Sequence, residues 1–391
     1  MKHEEGTTLA SGLADPSALG RRWLALAGPV SSYTWELFGR ISQQSGVRLE
    51  VFHNPPDERQ IRATYAHESF RSGGATAHDW GRMTPGQLLH SMNTADADAI
   101  LLFGTRSKLA LIQALVRRSP RCPVVFVADT NVADVFPEGP RGWARLLFYR
   151  AIAPFVTEAW TLGRSNEQAF RLLGFRKLRT LPFYAVDYDE LGAPRAEPLD
   201  PASGRFHLLA IARLSPEKNI ESLIRAVDRD ELRQRVDLTI VGDGPERAHL
   251  EQLAVRLPAA RVRLVGAVAH AALGAYLASA HALVLPSRYE PWGNVVTEAL
   301  GMGLPVLATP AVGAATSSAG RYGGIRIADG SDDVAIAAGL TAFIGHYAAV
   351  AMSARDEAWR VRAEFDVGSV AGRMIEAIKE LRAASAARPP G

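Results

Sequence analysis

Short apolar runs alternate with helix-like segments along the whole chain. Most of these runs place apolar residues at consecutive positions, which is typical of parallel strands that are buried on both faces. They predict strands at RWLALAG (22–28), VRLEVF (47–52), AILLFG (99–104), VVFVAD (124–129) and AWTLG (159–163) in the first half, and at HLLAIARL (207–214), DLTIVGDG (237–244), RVRLVG (261–266), ALVLPS (282–287), PVLAT (305–309) and GGIRI (323–327) in the second.

These strands are too many for one sheet, so we predict two α/β domains. Strand–helix alternation implies right-handed crossovers and Rossmann-like, doubly wound parallel sheets. Segment 187–205 contains several prolines and acidic residues and lacks apolar periodicity, which predicts an interdomain linker. We therefore expect domains at 21–190 and 205–365 that face one another across a cleft. An amphipathic helix is predicted at 366–385.

Composition narrows the class of protein. The 391 residues are 47% hydrophobic and 22% charged, and a net charge of +3 gives no support for nucleic-acid binding. A single cysteine, Cys122, excludes an internal disulfide and favours a reducing compartment. The N-terminus lacks the apolar core of a signal peptide, and no apolar run reaches transmembrane length, so we expect a cytoplasmic protein.

The first half is nevertheless rich in arginine. Its segment RGWARLLFYRAIAPF (141–155) places aromatic residues between arginines. That pattern favours a lipid-linked acceptor or peripheral contact with the cytoplasmic membrane face. A buried helix beside an acceptor cleft explains the pattern equally well.

The segment IARLSPEKNIESLIRAV (211–227) carries two cations where a predicted strand gives way to a helix. Arg213 ends the strand, and Lys218 is expected in the first turn of the helix. Arginine offers a bidentate fork and lysine a point charge, a pair that suits a diphosphate. Ordinary surface cations are the alternative, but a helix start disfavours positive charge, which favours a function for Lys218.

The segment VGDGPERAHL (241–250) predicts a tight turn from a strand into a helix. Gly242 and Gly244 make the turn, and Pro245 is expected at the first helical position. The glycines either let the backbone approach a nucleotide closely or serve the turn alone.

The segment RYEPWGNVVTEALGMGLPV (288–306) carries two glutamates. Glu290 is expected in a loop and Glu298 inside a helix at 294–302, whose N-terminus lies at Gly293. Free backbone N–H groups at such a terminus bind phosphate. The two carboxylates do not share a helical face, so they are expected to be separate anchors along an extended ligand. Apolar residues surround Glu298, and a glutamate in such a helix usually has a partner.

This chain lacks the sequence motifs that are typical of several enzyme classes. There is no G-x-S-x-G elbow, no H-E-x-x-H pair and no four-ligand cluster of Cys and His, and no G-x-G-x-x-G follows the first strand. Hydrolases with those motifs, zinc proteins and dinucleotide oxidoreductases are therefore disfavoured.

Together, ARLSPEK, VGDGPER, PSRYEPWGNVVTEALGMGLPV and the following VGAA resemble the donor domain of the retaining glycosyltransferases of family 4, which have the GT-B fold. The resemblance covers residues 206–385, and Glu290 and Glu298 stand at the family's E-x7-E spacing. It implies that the first domain binds the acceptor and that the last helix crosses back to it.

The resemblance also implies a role for each site residue. Arg213 and Lys218 hold the donor diphosphate, and Glu290 contacts the sugar hydroxyls, which makes these three the catalytic set. Glu298 binds the ribose hydroxyls. The other expected donor contacts are Gly242, Gly244, Trp292, Gly293 and Asn294. No cofactor and no metal is implied, because the two cations stabilise the leaving group.

Two departures from the family lie in the first domain. The family commonly has a Gly-Gly pair after the first strand, whereas this chain offers Gly28, Ser31 and Ser32 as candidate contacts. Many members have a histidine after the fourth strand, where this chain has Asp129 as a candidate polar contact.

The resemblance thus implies a metal-independent, retaining transfer of a hexose-type sugar. The donor is a UDP or GDP sugar, and the acceptor is a glycan, a lipid-linked molecule or a small molecule. A sugar phosphorylase, a sugar-nucleotide epimerase and a non-catalytic binding subunit with the same fold are the alternatives. The joint presence of Arg213, Lys218, Glu290 and Glu298 argues against the non-catalytic one.

Overall fold

The computed structural model describes most of the chain. The described residues are 22–54, 74–84, 86–87, 90, 94–103, 115, 118–119, 121–130, 132–135, 139–200, 204–257 and 261–387.

Among these residues, seven parallel strands form the first sheet. In spatial order they are β3 (Thr76–Asp79), β2 (Arg48–Asn54), β1 (Arg22–Pro29), β4 (Ala99–Phe103), β5 (Val124–Val127), β6 (Glu158–Thr161) and β7 (Leu178–Thr180). In register, Trp23 of β1 lies opposite Leu49 of β2 and Ala99 of β4. The winding direction reverses between β1 and β4, which places a crevice at their carboxyl ends.

The second sheet repeats this order with six parallel strands in the described part of the chain. They are β10 (Arg261–Gly266), β9 (Val236–Val241), β8 (Phe206–Ile211), β11 (Ala282–Leu285), β12 (Val306–Ala308) and β13 (Ile325–Ile327). The reversal falls between β8 and β11, so a second crevice opens at the end of β8.

Helices flank both sheets. Their bounds are α1 (Ser32–Ser45), α2 (Val132–Val135), α3 (Gly139–Ile152), α4 (Arg164–Leu172), α5 (Tyr188–Leu191), α6 (Ile220–Val227), α7 (Arg247–Arg256), α8 (His270–Ser279), α9 (Asn294–Gly301), α10 (Gly313–Ser318), α11 (Asp333–Gly345), α12 (Tyr347–Phe365) and α13 (Val367–Ala386).

The predicted fold class, two doubly wound parallel sheets, is confirmed. Each of the predicted strands is present with small shifts at its ends. The sequence pattern missed β3 and β7, which are the two edges of the first sheet. Both are short and largely unburied, with the sequences TAHD and LRT, so they carry no apolar run to detect.

The segment 187–205, predicted as an interdomain linker, begins with a helix that is packed on the second domain. Its first residues form α5, in which Tyr188 and Leu191 are buried. The Tyr188 hydroxyl donates to the Thr297 carbonyl at 2.8 Å, and Arg195 donates to the Leu277 carbonyl at 2.7 Å. A few well-placed apolar and polar contacts therefore anchor this segment on the second domain, although it has no apolar periodicity.

The last helix, α13, packs along α1 of the first domain. The chain reaches it through Asp366, which forms an isolated parallel bridge with Val186 and caps α13 through its carboxylate. Met374 and Ile378 of α13 belong to the same buried cluster as Trp23 of β1. Two connections thus join the domains side by side, at Val186 and at Asp366.

Among the residues that the structure describes, no single helix is long and apolar enough to cross a membrane. α11 and α12 meet that criterion only as a pair, across a bend of 75°.

Candidate active site

A cleft of about 400 Å³, here called the central cleft, opens at the carboxyl ends of β8, β9 and β11. Doubly wound sheets hold their ligands at this position. Most of the predicted site residues line it, namely Asp129, Arg213, Lys218, Gly242, Glu290, Trp292, Gly293 and Asn294. In the described part of the chain, no group of three or more His, Cys, Asp or Glu side chains is placed to hold a metal ion.

Lys218 and Glu290 form an ion pair inside the central cleft. The Lys218 ammonium donates to Glu290 Oε2 at 2.6 Å, and the two side chains are only 13% and 18% exposed. An ion pair so sheltered is screened less by solvent and salt than a surface pair is. The ammonium is therefore held at a fixed point of the cleft, beside the start of α9.

The predicted helix start at Pro216, with Lys218 in the first turn, is confirmed, but the helix that begins there is not an α-helix. Residues Pro216–Lys218 form a single 3-10 turn, and α6 begins only at Ile220. Asn219 separates the two with a left-handed backbone, φ 55°, while its buried amide donates to the carbonyls of Pro286 and Gly330. Asn219 thus ties the Lys218 turn to the segments after β11 and β13.

Arg213 lies at the end of β8 and is held by its own loop. Its guanidinium donates to Glu217 Oε1 at 2.7 Å, and the Ser215 hydroxyl donates to the same oxygen at 2.6 Å. Burial works to raise the pKa of Glu217, but these two hydrogen bonds and the charge of Arg213 outweigh it and lower the pKa to about 2. Glu217, which the sequence reading had not singled out, therefore stays ionised and orients Arg213.

The loop before α9 is fixed by backbone hydrogen bonds on both sides of Glu290. The Glu290 N–H donates to the Ala311 carbonyl, and the Glu290 carbonyl accepts from the Gly313 N–H. The predicted helix is confirmed, because α9 begins at Asn294 after Gly293 in a left-handed conformation with φ 91°. The first residues of α9, Asn294 and Val295, line the cleft, and N–H groups at a helix start lack intrahelical acceptors.

The turn after β9 brings two glycines against the segment that carries Arg213. A Cβ atom on Gly242 would lie 1.9 Å from the Ala212 carbonyl oxygen, and one on Gly244 would lie 2.3 Å from that of Leu214. Gly242 lines the cleft, while Gly244 packs behind it. The prediction that Pro245 opens the helix is wrong, since α7 begins at Arg247 and Pro245 belongs to the preceding turn.

We expect Gly242→Ala to destabilise the protein by about 2 kcal/mol, because the new Cβ meets a backbone carbonyl and the φ of 139° is unfavourable for an L-residue. Urea unfolding measures this loss. The matched control is Gly345→Ala, where a Cβ meets nothing within 4 Å. Equal stability of the two variants would show that the Gly242 turn is more adaptable than its geometry indicates.

Glu298 is fully buried and does not line the central cleft. Its Oε1 accepts from the Tyr33 hydroxyl at 2.6 Å and lies 3.3 Å from Nε2 of His270, whose Nδ1 lies 2.8 Å from Glu190. Burial opposes a charge on His270, but hydrogen bonds and attraction to Glu298 and Glu190 outweigh it and raise its pKa to about 9. The expectation that Glu298 has a partner is confirmed.

The first domain contributes Tyr33 and Asp129 to the central cleft. The Tyr184 hydroxyl donates to Asp129 Oδ2 at 2.8 Å. Burial and the charge of Asp129 raise the pKa of Tyr184 well above its usual range, so the phenol stays a donor. The Asp129 carboxylate is therefore held in one orientation at the end of β5.

The structure does not bring Gly28 and Ser31 to the lining of the central cleft. Gly28 is buried in β1, and the Ser31 hydroxyl caps α1 by accepting from the Thr34 N–H at 3.3 Å. The side chain of Ser32 is outside the described part of the structure, and its backbone opens α1. Tyr33, the next residue, reaches the cleft instead.

Sequence comparison places this chain among sugar-transferring proteins. The family model described as Glycosyl transferases group 1 matches residues 205–346. The lipopolysaccharide core biosynthesis glycosyltransferase LpsD of Rhizobium meliloti is 36% identical over a match that covers 51% of this chain and 67% of LpsD. A glycogen synthase of Mycobacterium tuberculosis is 33% identical over 44% of this chain and 42% of that enzyme, so the match spans less than half of its length.

Comparison of structures extends the likeness to both domains. The Anabaena protein HepE, solved in complex with UDP, superposes with a TM-score of 0.68 over 92% of this chain and 100% of HepE. The two sequences are 18% identical, so this likeness concerns the fold.

Proposed function

The chain belongs to the group 1 glycosyltransferases and has their GT-B fold, and from that membership we propose that it is a retaining hexosyltransferase. Its donor is a UDP or GDP sugar. Its acceptor is a glycan, a lipid-linked molecule or a small molecule, and no metal or cofactor takes part. The first domain, residues 21–190, binds the acceptor, and residues 205–365 bind the donor.

The observation that carries this proposal is the convergence of two cations and one carboxylate in the central cleft. Arg213 and Lys218 come from the loop after β8, and Glu290 comes from the loop after β11. Two cations beside a helix N-terminus attract the diphosphate of a nucleotide sugar. A carboxylate next to them accepts hydrogen bonds from the hydroxyls of the sugar.

Each of these residues then has a task in the transfer. Arg213 and Lys218 stabilise the negative charge that grows on the diphosphate as its bond to the sugar breaks. Glu290 and the backbone of Trp292, Gly293 and Asn294 hold the sugar in place. The acceptor oxygen attacks from the face that the diphosphate leaves, and a phosphate oxygen takes its proton, so that the configuration is retained. The protein supplies position and charge rather than a covalent intermediate.

The donor requires a rearrangement around Glu298 if that residue is to bind the ribose. Tyr33 of the first domain now covers the carboxylate and donates to it. A ribose hydroxyl forms the same kind of hydrogen bond, so nucleotide binding exchanges one donor for another. Movement of the first domain relative to the second, common in enzymes with a cleft between domains, allows this exchange.

Isothermal titration with UDP and with GDP tests the donor proposal. We expect one of the two to bind, with the same affinity in the presence of EDTA, because the two cations take the place of a metal. A screen of UDP and GDP sugars for slow hydrolysis then identifies the sugar, and NMR of the first product reports its anomeric configuration. Failure of both nucleotides to bind would remove the transferase proposal.

We also propose peripheral contact with the cytoplasmic face of a membrane, through α3 of the first domain. Trp143 and Leu147, one helical turn apart, are 57% and 63% exposed, and Phe155 beyond the helix is 52% exposed. Arginines alternate with these residues along the sequence. Exposed apolar side chains flanked by arginines suit an anionic lipid surface.

The double variant Trp143→Ala, Leu147→Ala is expected to bind phosphatidylglycerol vesicles at least roughly tenfold more weakly, because two apolar side chains no longer enter the interface. Vesicle co-sedimentation measures the loss. Trp359→Ala is the matched control, since Trp359 is 67% exposed but belongs to α12 of the second domain. Equal sedimentation of the double variant and the wild type contradicts a membrane role for α3.

A further inference from the structure

A second cavity, here called the hinge-side cavity, lies between the domains next to the central cleft. Its volume is about 970 Å³. The first domain lines it with residues at the carboxyl ends of β6 and β7, and the second domain with α10 and the end of α12. It therefore lies on the side where the chain crosses between the domains, at Val186 and Asp366.

The two domains touch at the wall of this cavity. A Cβ on Gly163, just before α4, would lie 2.3 Å from the hydroxyl of Ser317 in α10. Both residues line the cavity. The atoms nearest to that Cβ belong to the Ser317 side chain, so any side chain at position 163 requires Ser317 to shift. Gly163 therefore marks a close approach of the two domains at the cavity wall.

Polar groups that suit hydroxyls surround the cavity. Thr180, Thr316 and Ser317 contribute hydroxyls, Gln168 contributes an amide, and Arg164 contributes a guanidinium that has no partner among the described residues. The two lining carboxylates are already paired, Glu167 with Arg171 and Glu364 with Arg321. The cavity therefore offers mainly neutral donors and acceptors and one spare cation.

Apolar groups complete the lining. Pro182, Pro310 and Phe365 lie in the wall together with the ring of Trp292. The buried Nε1 of Trp292 and the buried hydroxyl of Ser318 find no hydrogen-bond partner within the described residues. Aromatic and proline surfaces next to hydroxyls and amides match a sugar, which presents C–H faces and hydroxyls that both donate and accept.

The hinge-side cavity and the central cleft are adjacent and share two lining residues. Pro291 and Trp292 line both of them, directly after Glu290. A molecule in the hinge-side cavity thus lies next to the residues that are proposed to hold the donor sugar. An acceptor must reach that same sugar with one hydroxyl, and the hinge-side cavity adjoins the central cleft at these two residues.

We propose that the hinge-side cavity binds the carbohydrate part of the acceptor and that both domains hold it. This inference rests on the proposed transferase function and names its acceptor class as a glycan. The acceptor oxygen forms a bond to the anomeric carbon of the donor sugar, the bond from that carbon to the diphosphate breaks, and the proton of the acceptor hydroxyl passes to the released phosphate oxygen.

The test blocks the cavity without touching the donor residues. Thr316 is exposed, and within the described part of the chain its hydroxyl donates only to the carbonyls of Val312 and Gly313, at the start of its own helix. Thr316→Trp therefore fills the cavity from its surface. The matched control is Thr341→Trp, an exposed threonine of α11 outside the cavity. Gln168→Ala is a milder second variant that removes one amide.

Binding to an immobilised array of bacterial oligosaccharides is measured for wild type and variants, together with calorimetric binding of UDP and GDP. We expect the wild type to bind one group of glycans, Thr316→Trp to bind them at least tenfold more weakly, and Gln168→Ala about threefold more weakly. Glycan binding by Thr341→Trp should equal that of the wild type. The nucleotide affinities of all variants should be unchanged, which shows that the variants are folded.

Two outcomes overturn the proposal. One is full glycan binding by Thr316→Trp, and the other is nucleotide binding by a wild type that binds no glycan. Absence of nucleotide binding by the wild type is a different result, because it removes the transferase function itself.

Discussion

Lys218→Ala is expected to lower the rate of sugar transfer by roughly 100- to 1,000-fold, the range found when one preorganised group that stabilises transition-state charge is removed. Lys218 is 13% exposed and lies 2.6 Å from Glu290 in the central cleft. Without the ammonium, the leaving diphosphate keeps only Arg213 as a cation from the loop after β8. The remaining Glu290 carboxylate also loses its partner and repels the donor phosphates.

The measurement is the initial rate of transfer, or of slow donor hydrolysis, with the sugar nucleotide that the screen identifies. Lys379→Ala is the matched control, because Lys379 lies on α13 and, among the residues that the structure describes, pairs only with Glu376 of its own helix. Circular dichroism checks that both variants are folded. A turnover of Lys218→Ala within twofold of the control would show that the cation has no role in catalysis.

The buried strands of the fold could be predicted from sequence because burial on both faces leaves a continuous apolar run. This holds for AILLF in β4 and VVFV in β5, in which nearly every side chain is buried. Edge strands lack that signal, as β3 and β7 show. The packing of α5 on the second domain rests on Tyr188 and Leu191 and on hydrogen bonds to distant carbonyls, which no local pattern reveals.

The grouping of Arg213, Lys218 and Glu290 in one cleft could be predicted because these residues follow strands at short distance in the sequence. Arg213, Lys218 and Glu290 stand in the loops after β8 and β11, and adjacent parallel strands bring such loops together. From the first domain, Asp129 was predicted and lines the cleft, but Tyr33 could not be predicted in this way. Tyr33 reaches Glu298 from the other domain, and only the relative placement of the two sheets determines that contact.

The starts of the helices show a similar limit. Pro216 and Pro245 each predicted the first position of a helix. Pro216 does open a helix, but a 3-10 helix of three residues, whereas Pro245 lies in a turn before α7. A proline at the first helical position and a proline in a preceding turn have the same fixed φ, so the local signal is shared. After Pro216 the 3-10 helix stops at Lys218, because Asn219 has a left-handed backbone that two tertiary hydrogen bonds stabilise.

His270 is expected to make the stability of the protein depend on pH above neutrality. Its pKa is about 9 in the folded protein against an ordinary value of 6.5, because Glu298 and Glu190 favour the charged ring despite burial. A group whose pKa rises on folding contributes its full stabilisation of the native state at pH values below its pKa in the unfolded protein. The contribution is about 3 kcal/mol below pH 6.5 and is lost as the pH rises to about 9.

Urea unfolding of the wild type and of His270→Gln at a series of pH values between 6 and 10 isolates this contribution. Glutamine still donates a hydrogen bond to Glu298 but carries no charge. The free energy of unfolding of the variant should therefore lack the decline of 1.36 kcal/mol per pH unit that linkage gives for one proton. The difference between the two proteins should therefore shrink by about 3 kcal/mol from pH 6.5 to pH 9. Parallel curves would mean that His270 is neutral in the folded protein, and that Glu298 is held by the Tyr33 hydroxyl and a neutral imidazole instead of by a charged one.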